Sequence, residues 1–202
     1  VTSASNAPGE EADLAGLLAS MGTPSVLIGQ HVPRATCVRG DNVTGMRALM
    51  AHLLDHCGVR RPVLVRGVAH QPDAIVREQV FREELDRRGL PVDEGLIIDG
   101  EFGHDVAYRA MRLVLGTRRD LDAVVAANDP SALGALGALT DEGLRVPEDV
   151  LVTGFDNDQA ASLNWPGLTT VDQQLEEQGR IAAQVLISQM RGEPPLGEVV
   201  VP

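Results

Sequence analysis

The chain reads as an α/β protein, and three observations carry that reading. Short, almost wholly apolar runs such as Pro62 to Val65, Ala123 to Ala127 and Val150 to Phe155 recur along it. Unbroken apolarity of that length marks strands buried on both faces, as in parallel sheets. Between the runs lie longer segments whose apolar residues repeat at helical spacing, for example Met46, Leu49, Met50 and Leu53. Finally, Asp, Asn and Pro stand where these segments begin and Gly where they end, the punctuation of helix starts and stops.

Taken in order, Glu10 to Met21 is expected to be a helix with Leu14, Leu17, Leu18 and Met21 inward, closed by Gly22, and Pro24 to Gly29 the next strand. Cys37-Val38 is a short extended stretch. Asp41-Asn42 opens a helix that runs to Gly58, and Pro62 to Val65 is a strand. Pro72-Asp73 opens a helix with Ala74, Phe81 and Leu85 inward and Gly89 past its end. Gly95 to Ile98 is a strand and His104 to Leu115 a helix. After the strand at Ala123, Asp129 is the expected N-cap, with Pro130 at the first helical position, where its missing N–H would have no partner anyway. Ala132, Ala135, Leu136 and Leu139 share a face of that helix, and Gly143 ends it. Leu175, Gly179, Ala182, Leu186 and Met190 mark a last long helix, stopped by Gly192 and Pro194-Pro195, and Val199 to Val201 a last strand.

The 202 residues, 44% of them apolar, suffice for one substantial core or two modest ones. A formal charge of −12 argues against nucleic-acid binding by this chain alone, because phosphate contacts require a basic surface. All 17 basic residues are arginine, which reads as genomic bias. Two cysteines, Cys37 and Cys57, suggest neither a disulfide scaffold nor a metal knuckle, so reduced thiols are expected. No apolar run approaches the ~20 residues of a membrane helix. His52 and His56 share a helix face beside Cys57, but the segment lacks the glutamate of a zinc-protease helix, and a structural role is the expectation. No nucleophile elbow, phosphate loop or dinucleotide fingerprint occurs, so neither catalysis nor a cofactor is expected.

One run is richer than the rest. It holds Asn128-Asp129, Ala132-Leu133-Gly134-Ala135, Gly143, Val146-Pro147-Glu148-Asp149-Val150, Gly154-Phe155-Asp156 and Pro166-Gly167-Leu168-Thr169-Thr170-Val171, in that order. This string resembles the effector-binding domain of the lac-repressor family of transcription regulators, and the likeness extends over essentially the whole chain. It implies two doubly wound parallel-sheet subdomains of the periplasmic-binding-protein type, the first incomplete. Residues 1–60 plus 173–192 would form the first, 61–172 plus 193–202 the second, joined by hinge crossings. Periodicity alone fits a single doubly wound sheet equally well. With no initiator methionine, the chain reads as a fragment lacking two βα units and the DNA-binding helix-turn-helix.

The resemblance also nominates a site. Arg77, in Arg77-Glu78-Gln79-Val80-Phe81, would grip the effector with its planar fork, although Val80 stands where the family has glycine; otherwise it is a surface partner of Asp73 at i,i+4. Asp156 would accept hydrogen bonds from ligand hydroxyls, or else cap the next segment. Asn128 offers a donor and an acceptor to a polyol, or is a turn residue. Gln173 and Asp41 are weaker candidates, explained equally by a hinge strand and a helix start. Trp165, the one tryptophan, would flank a sugar ring or anchor a loop. Arg77, Asn128 and Asp156 lie at strand ends or the facing helix turn, where ligands of α/β sheets bind. Their replacement is expected to weaken binding and spare the melting temperature. The implied function is a cytoplasmic homodimeric sensor of a small polar effector, most often a sugar, controlling DNA through a separate head domain. A transporter's sugar-binding protein, or a sensor fused to a signalling enzyme, are the alternatives.

Overall fold

In the computed structural model, residues 17, 20, 22–29, 35–159, 161, 167–194 and 196–202 are described. The expected helix from Glu10 to Met21 lies largely outside them, and Trp165 entirely so. The chain divides into two compact units, residues 1–41 with 173–202 and residues 42–172.

The described part of the first unit holds three parallel strands in the order β1-β2-β8: β1 (Leu27–Ile28), β2 (Cys37–Gly40) and β8 (Glu198–Val201). Helix α5 (Leu175–Met190) packs on β2 and β1, and Val38, Ala182 and Val201 form their shared core. Of the residues that marked this helix in the sequence, Ala182 is buried, whereas Leu175 and Met190 are exposed.

The second unit is a doubly wound sheet of five parallel strands. Their chain order is β3 (Pro62–Arg66), β4 (Ile97–Asp99), β5 (Ala123–Ala126), β6 (Leu151–Asp156) and β7 (Thr169–Asp172), and their spatial order is β4-β3-β5-β6-β7. Helices α1 (Asn42–Ala51), α2 (Pro72–Arg87), α3 (His104–Leu115) and α4 (Asp129–Asp141) cover it. Strand alternation decides which face each covers. Ala123 and Val125 of β5 join Leu64, Met46, Met50, Phe81, Leu85 and Phe155 in one core, under α1 and α2. Val124 and Ala126 join Val63, Val65, Met111, Ala132 and Leu139 in the other, under α3 and α4. Gly134 permits the tight α3–α4 contact, since a Cβ there would lie 2.1 Å from the His104 carbonyl oxygen.

Two expected boundaries move. The first unit ends at Asp41, not near residue 60, because α1 turns Met46, Leu49 and Met50 into the second unit's core. Residues 193–202 were assigned to the second subdomain, yet β8 pairs with β2, Cys37 opposite Glu198 and Gly40 opposite Val201. An ion pair of 2.6 Å between Arg39 and Glu198 reinforces that register. The run from Gly95 to Ile98 begins as a 3₁₀ turn, Glu94–Leu96, and becomes extended only at Ile97. Past Ala51 the first helix widens into a π-helical segment, His52–His56, before Gly58.

Candidate ligand-binding site

Because all five strands of the second unit run parallel, their carboxyl ends share one edge. The winding reverses between β3 and β5, the position where such sheets leave a crevice. Arg77 enters this region from the second turn of α2. Its side chain is only 3% exposed. Nε donates to Asn42 Oδ1 at 2.8 Å, and an Nη1 hydrogen bond reaches the Ala127 carbonyl at the end of β5. One face of the guanidinium lies 3.8 Å from the centre of the Phe155 ring, and Phe102 stands further off, at 5.9 Å. Two carboxylates bracket the remaining edge without reaching hydrogen-bond range: Asp73 at 3.8 Å and Asp156 at 3.7 Å. Burial pulls the Arg77 pKa below the ordinary arginine value, and Asp156, Asp73 and Asp129 pull it back up. Thus the structure brings Arg77 and Asp156 together, as the sequence led one to expect. The i,i+4 contact with Asp73 is also present, although Arg77 is not a surface residue.

Asp156 closes β6 with φ at +116°, and Asn157 follows at +56°. Non-glycine residues are strained there, and such strain persists only where surrounding structure imposes it. Asp129 supplies the constraint. Fully buried, it accepts from the Asp158 backbone N–H at 2.7 Å and from the Thr170 hydroxyl at 2.6 Å. Its Oδ1 also fills the space a Cβ on Gly154 would need, at 2.2 Å, so the glycine of Gly-Phe-Asp makes room for the aspartate of Asn-Asp. Desolvation raises the Asp129 pKa, opposed by these two hydrogen bonds.

Asn128 has a different role from the one expected. Its Oδ1 accepts from the Ser131 N–H at 3.0 Å, making it the N-cap of α4 in place of Asp129, and its Nδ2 donates to the Phe102 carbonyl at 3.0 Å. Both ends of the amide are thereby committed to shaping the site. Asp41 and Gln173 belong to the first unit. The Asp41 N–H donates to the Val201 carbonyl at 2.9 Å, and the Gln173 carbonyl accepts from Gln178 Nε2 at 2.6 Å.

Sequence reasoning missed Asn42, Phe155, Phe102 and the true role of Asp129. Asn42, 2% exposed, links Arg77 to Asp73 by donating to Asp73 Oδ1 at 2.9 Å. Phe102 sits at φ +58° with its ring over Gly67, at the end of β3. The turn Glu101-Phe102-Gly103 after a strand was the available signal. Among the described residues no group of three or more potential ligands is placed to hold a metal. His52 and His56 stand with ring centres 6.1 Å apart, and both cysteines are free.

Comparison with known proteins agrees with this architecture. The periplasmic binding protein-like domain family matches residues 50–202. A LacI family transcriptional regulator from Mycobacterium smegmatis superposes with a TM-score of 0.83 at 30% identity, over 95% of this chain and 69% of that one. The chain belongs to the LacI family. The regulator CelR in complex with cellobiose gives a TM-score of 0.82 at 30% identity, over 96% of this chain and 68% of that one. In sequence, the HTH-type transcriptional regulator CelR of Thermobifida fusca is 38% identical over 153 residues, which cover 76% of this chain and 45% of the relative. The chain spans about half the length of the curated relatives it matches. It is the ligand-binding domain of the LacI family, and no helix among its described residues is long and apolar enough to cross a membrane.

Proposed function

We propose that this chain senses a small polar effector, a sugar, and thereby controls transcription in the cytoplasm as part of a homodimeric regulator. DNA contact would fall to a helix-turn-helix domain, since this chain is strongly acidic. Arg77 and Asp156 hold the effector's hydroxyls, and Phe102 offers a ring face to its apolar side. Asn42, Asn128 and Asp129 position them, and Asp41, Gln173 and Trp165 remain candidates for further contacts. The protein binds its effector without transforming it. The single observation that carries this reading is a buried guanidinium with fixed orientation whose outer edge faces two carboxylates just beyond hydrogen-bond distance.

The CelR complex makes cellobiose the first probe. Calorimetric titration of the full-length protein with cellobiose, then with a panel of mono- and disaccharides, is expected to find one saturable ligand. Its affinity should fall at least roughly tenfold in Asp156→Ala, since about 1.4 kcal/mol is a factor of ten. Saturable binding that Arg77→Ala and Asp156→Ala both leave intact would move the site elsewhere.

A further inference from the structure

We propose that the Arg77 site selects by charge, admitting a neutral polyhydroxylated molecule and rejecting anions such as phosphate esters and organic acids; this rests on the effector reading of that site. A buried arginine at a ligand crevice first suggests the opposite, an anion hook. Its surroundings argue against that.

A guanidinium has five N–H donors. Nε is committed to Asn42, and Nη1 donates to the Ala127 carbonyl. The Phe155 ring covers one face at 3.8 Å, so the edge left for a ligand is the one between Asp73 and Asp156, 3.8 and 3.7 Å away. An atom accepting from Arg77 there meets both carboxylates. A hydroxyl satisfies that environment, because it accepts from the guanidinium and donates to an aspartate. A phosphate or carboxylate oxygen only accepts, and brings a further negative charge against two already present.

The wider charge balance points the same way. Asp129 also acts on Arg77, so three carboxylates surround one guanidinium. The other guanidinium at this end of β3, Arg66, is engaged by Asp99 at 2.6 Å and Glu78 at 3.5 Å. Asn42 holds Asp73 in place through its 2.9 Å hydrogen bond, so that carboxylate is fixed by the fold.

Inorganic phosphate is the probe. Titrated calorimetrically into the full-length protein at constant ionic strength, it is expected to give no saturable binding up to tens of millimolar. The double variant Asp73→Asn, Asp156→Asn is expected to gain saturable phosphate binding at least tenfold tighter than any seen in the parent, and adding Arg77→Ala should abolish the gain. If the double variant does not fold, as judged by its melting curve, Asp156→Asn alone is scored by the same criterion. Saturable phosphate binding by the parent that Arg77→Ala removes would overturn the proposal, as would an asparagine variant that binds phosphate no better than the parent. Phosphate alone is read here, so failure of every sugar to bind would count against the effector reading and not against charge selection.

Discussion

The arginines on the outer surface and the one in the crevice are treated in opposite ways. Arg82 lies 2.6 Å from Glu94 and 2.8 Å from Glu78, and Arg88 lies 2.5 Å from Asp55 and 2.6 Å from Glu84. These bonds raise both pKa values above the ordinary arginine value. Arg77, which is buried, gives its close hydrogen bonds to neutral acceptors, Asn42 and the Ala127 carbonyl, and keeps its carboxylates beyond 3.5 Å. Stability alone would favour the reverse, since exposed pairs contribute little and a buried charge needs close compensation. The contrast teaches that surface pairing is incidental here, while the looseness around Arg77 leaves bonding capacity for a molecule that is not protein.

Arg77→Ala is the strongest test of that contrast. Asn42 Oδ1 and the Ala127 carbonyl lose their donor, Phe155 loses its stacking partner, and a void forms. The expected loss is about 3 kcal/mol of stability together with at least roughly thirtyfold in effector affinity. Denaturant titration checks the first quantity and calorimetry the second. An unchanged midpoint would show that Arg77 is less embedded than its burial indicates. The sequence alone suggested that this substitution would spare stability; burial reverses that expectation.

Gly154→Ala comes next. With the Asp129 carboxylate in the way, it should cost about 2 kcal/mol by overpacking, and a chemical midpoint equal to the parent's would show that Asp129 can move aside. Asp156→Gly should separate function from stability, relaxing the strain at φ +116° and changing stability by no more than about 1 kcal/mol, in the favourable direction, while weakening effector binding about tenfold. A gain in affinity would contradict the ligand role of Asp156. On the surface side, Arg82→Ala is expected to stay within about 1 kcal/mol of the parent and to bind effector normally; a large effect there would erase the distinction between the two kinds of arginine.

The smallest expected effect is on pH dependence. Asp149, held by Arg145, has its pKa lowered from 3.8 to about 2, so its contribution is complete above pH 3.8 and is lost as pH falls toward 2. Asp129 has the opposite sign. Burial raises its pKa above 3.8, the native state holds the extra proton just above that pH, and stability declines as pH rises through the raised value. Melting temperatures measured from pH 3 to 6 should show Asp129→Asn losing the upper slope and Asp149→Asn the lower. Identical profiles for parent and variants would refute both assignments.

Much of this could be read from residue order. Apolar runs and their punctuation placed the strands of the second unit to within a residue or two, and inward faces such as Met46, Met50 and Leu53 or Phe81 and Leu85 are buried as their spacing requires. The family motifs supplied Arg77 and Asp156. Periodicity records that a face is buried, however, and is silent about what buries it. For that reason only the tertiary structure could assign β8 to β2 and give α1 to the second unit. The site divides in the same way. Asn128 and Asp129 are adjacent, and both suit a cap or a ligand contact. Asn128 became the cap and Asp129 the buried brace, because the strands carry Thr170 and Asp158 against the second side chain and Phe102 against the first. Asn42 lies 35 positions from Arg77 in sequence, and no local signal could couple them. Local chemistry fixed which residues were able to take part, and the meeting of distant strand and helix ends decided what each of them does.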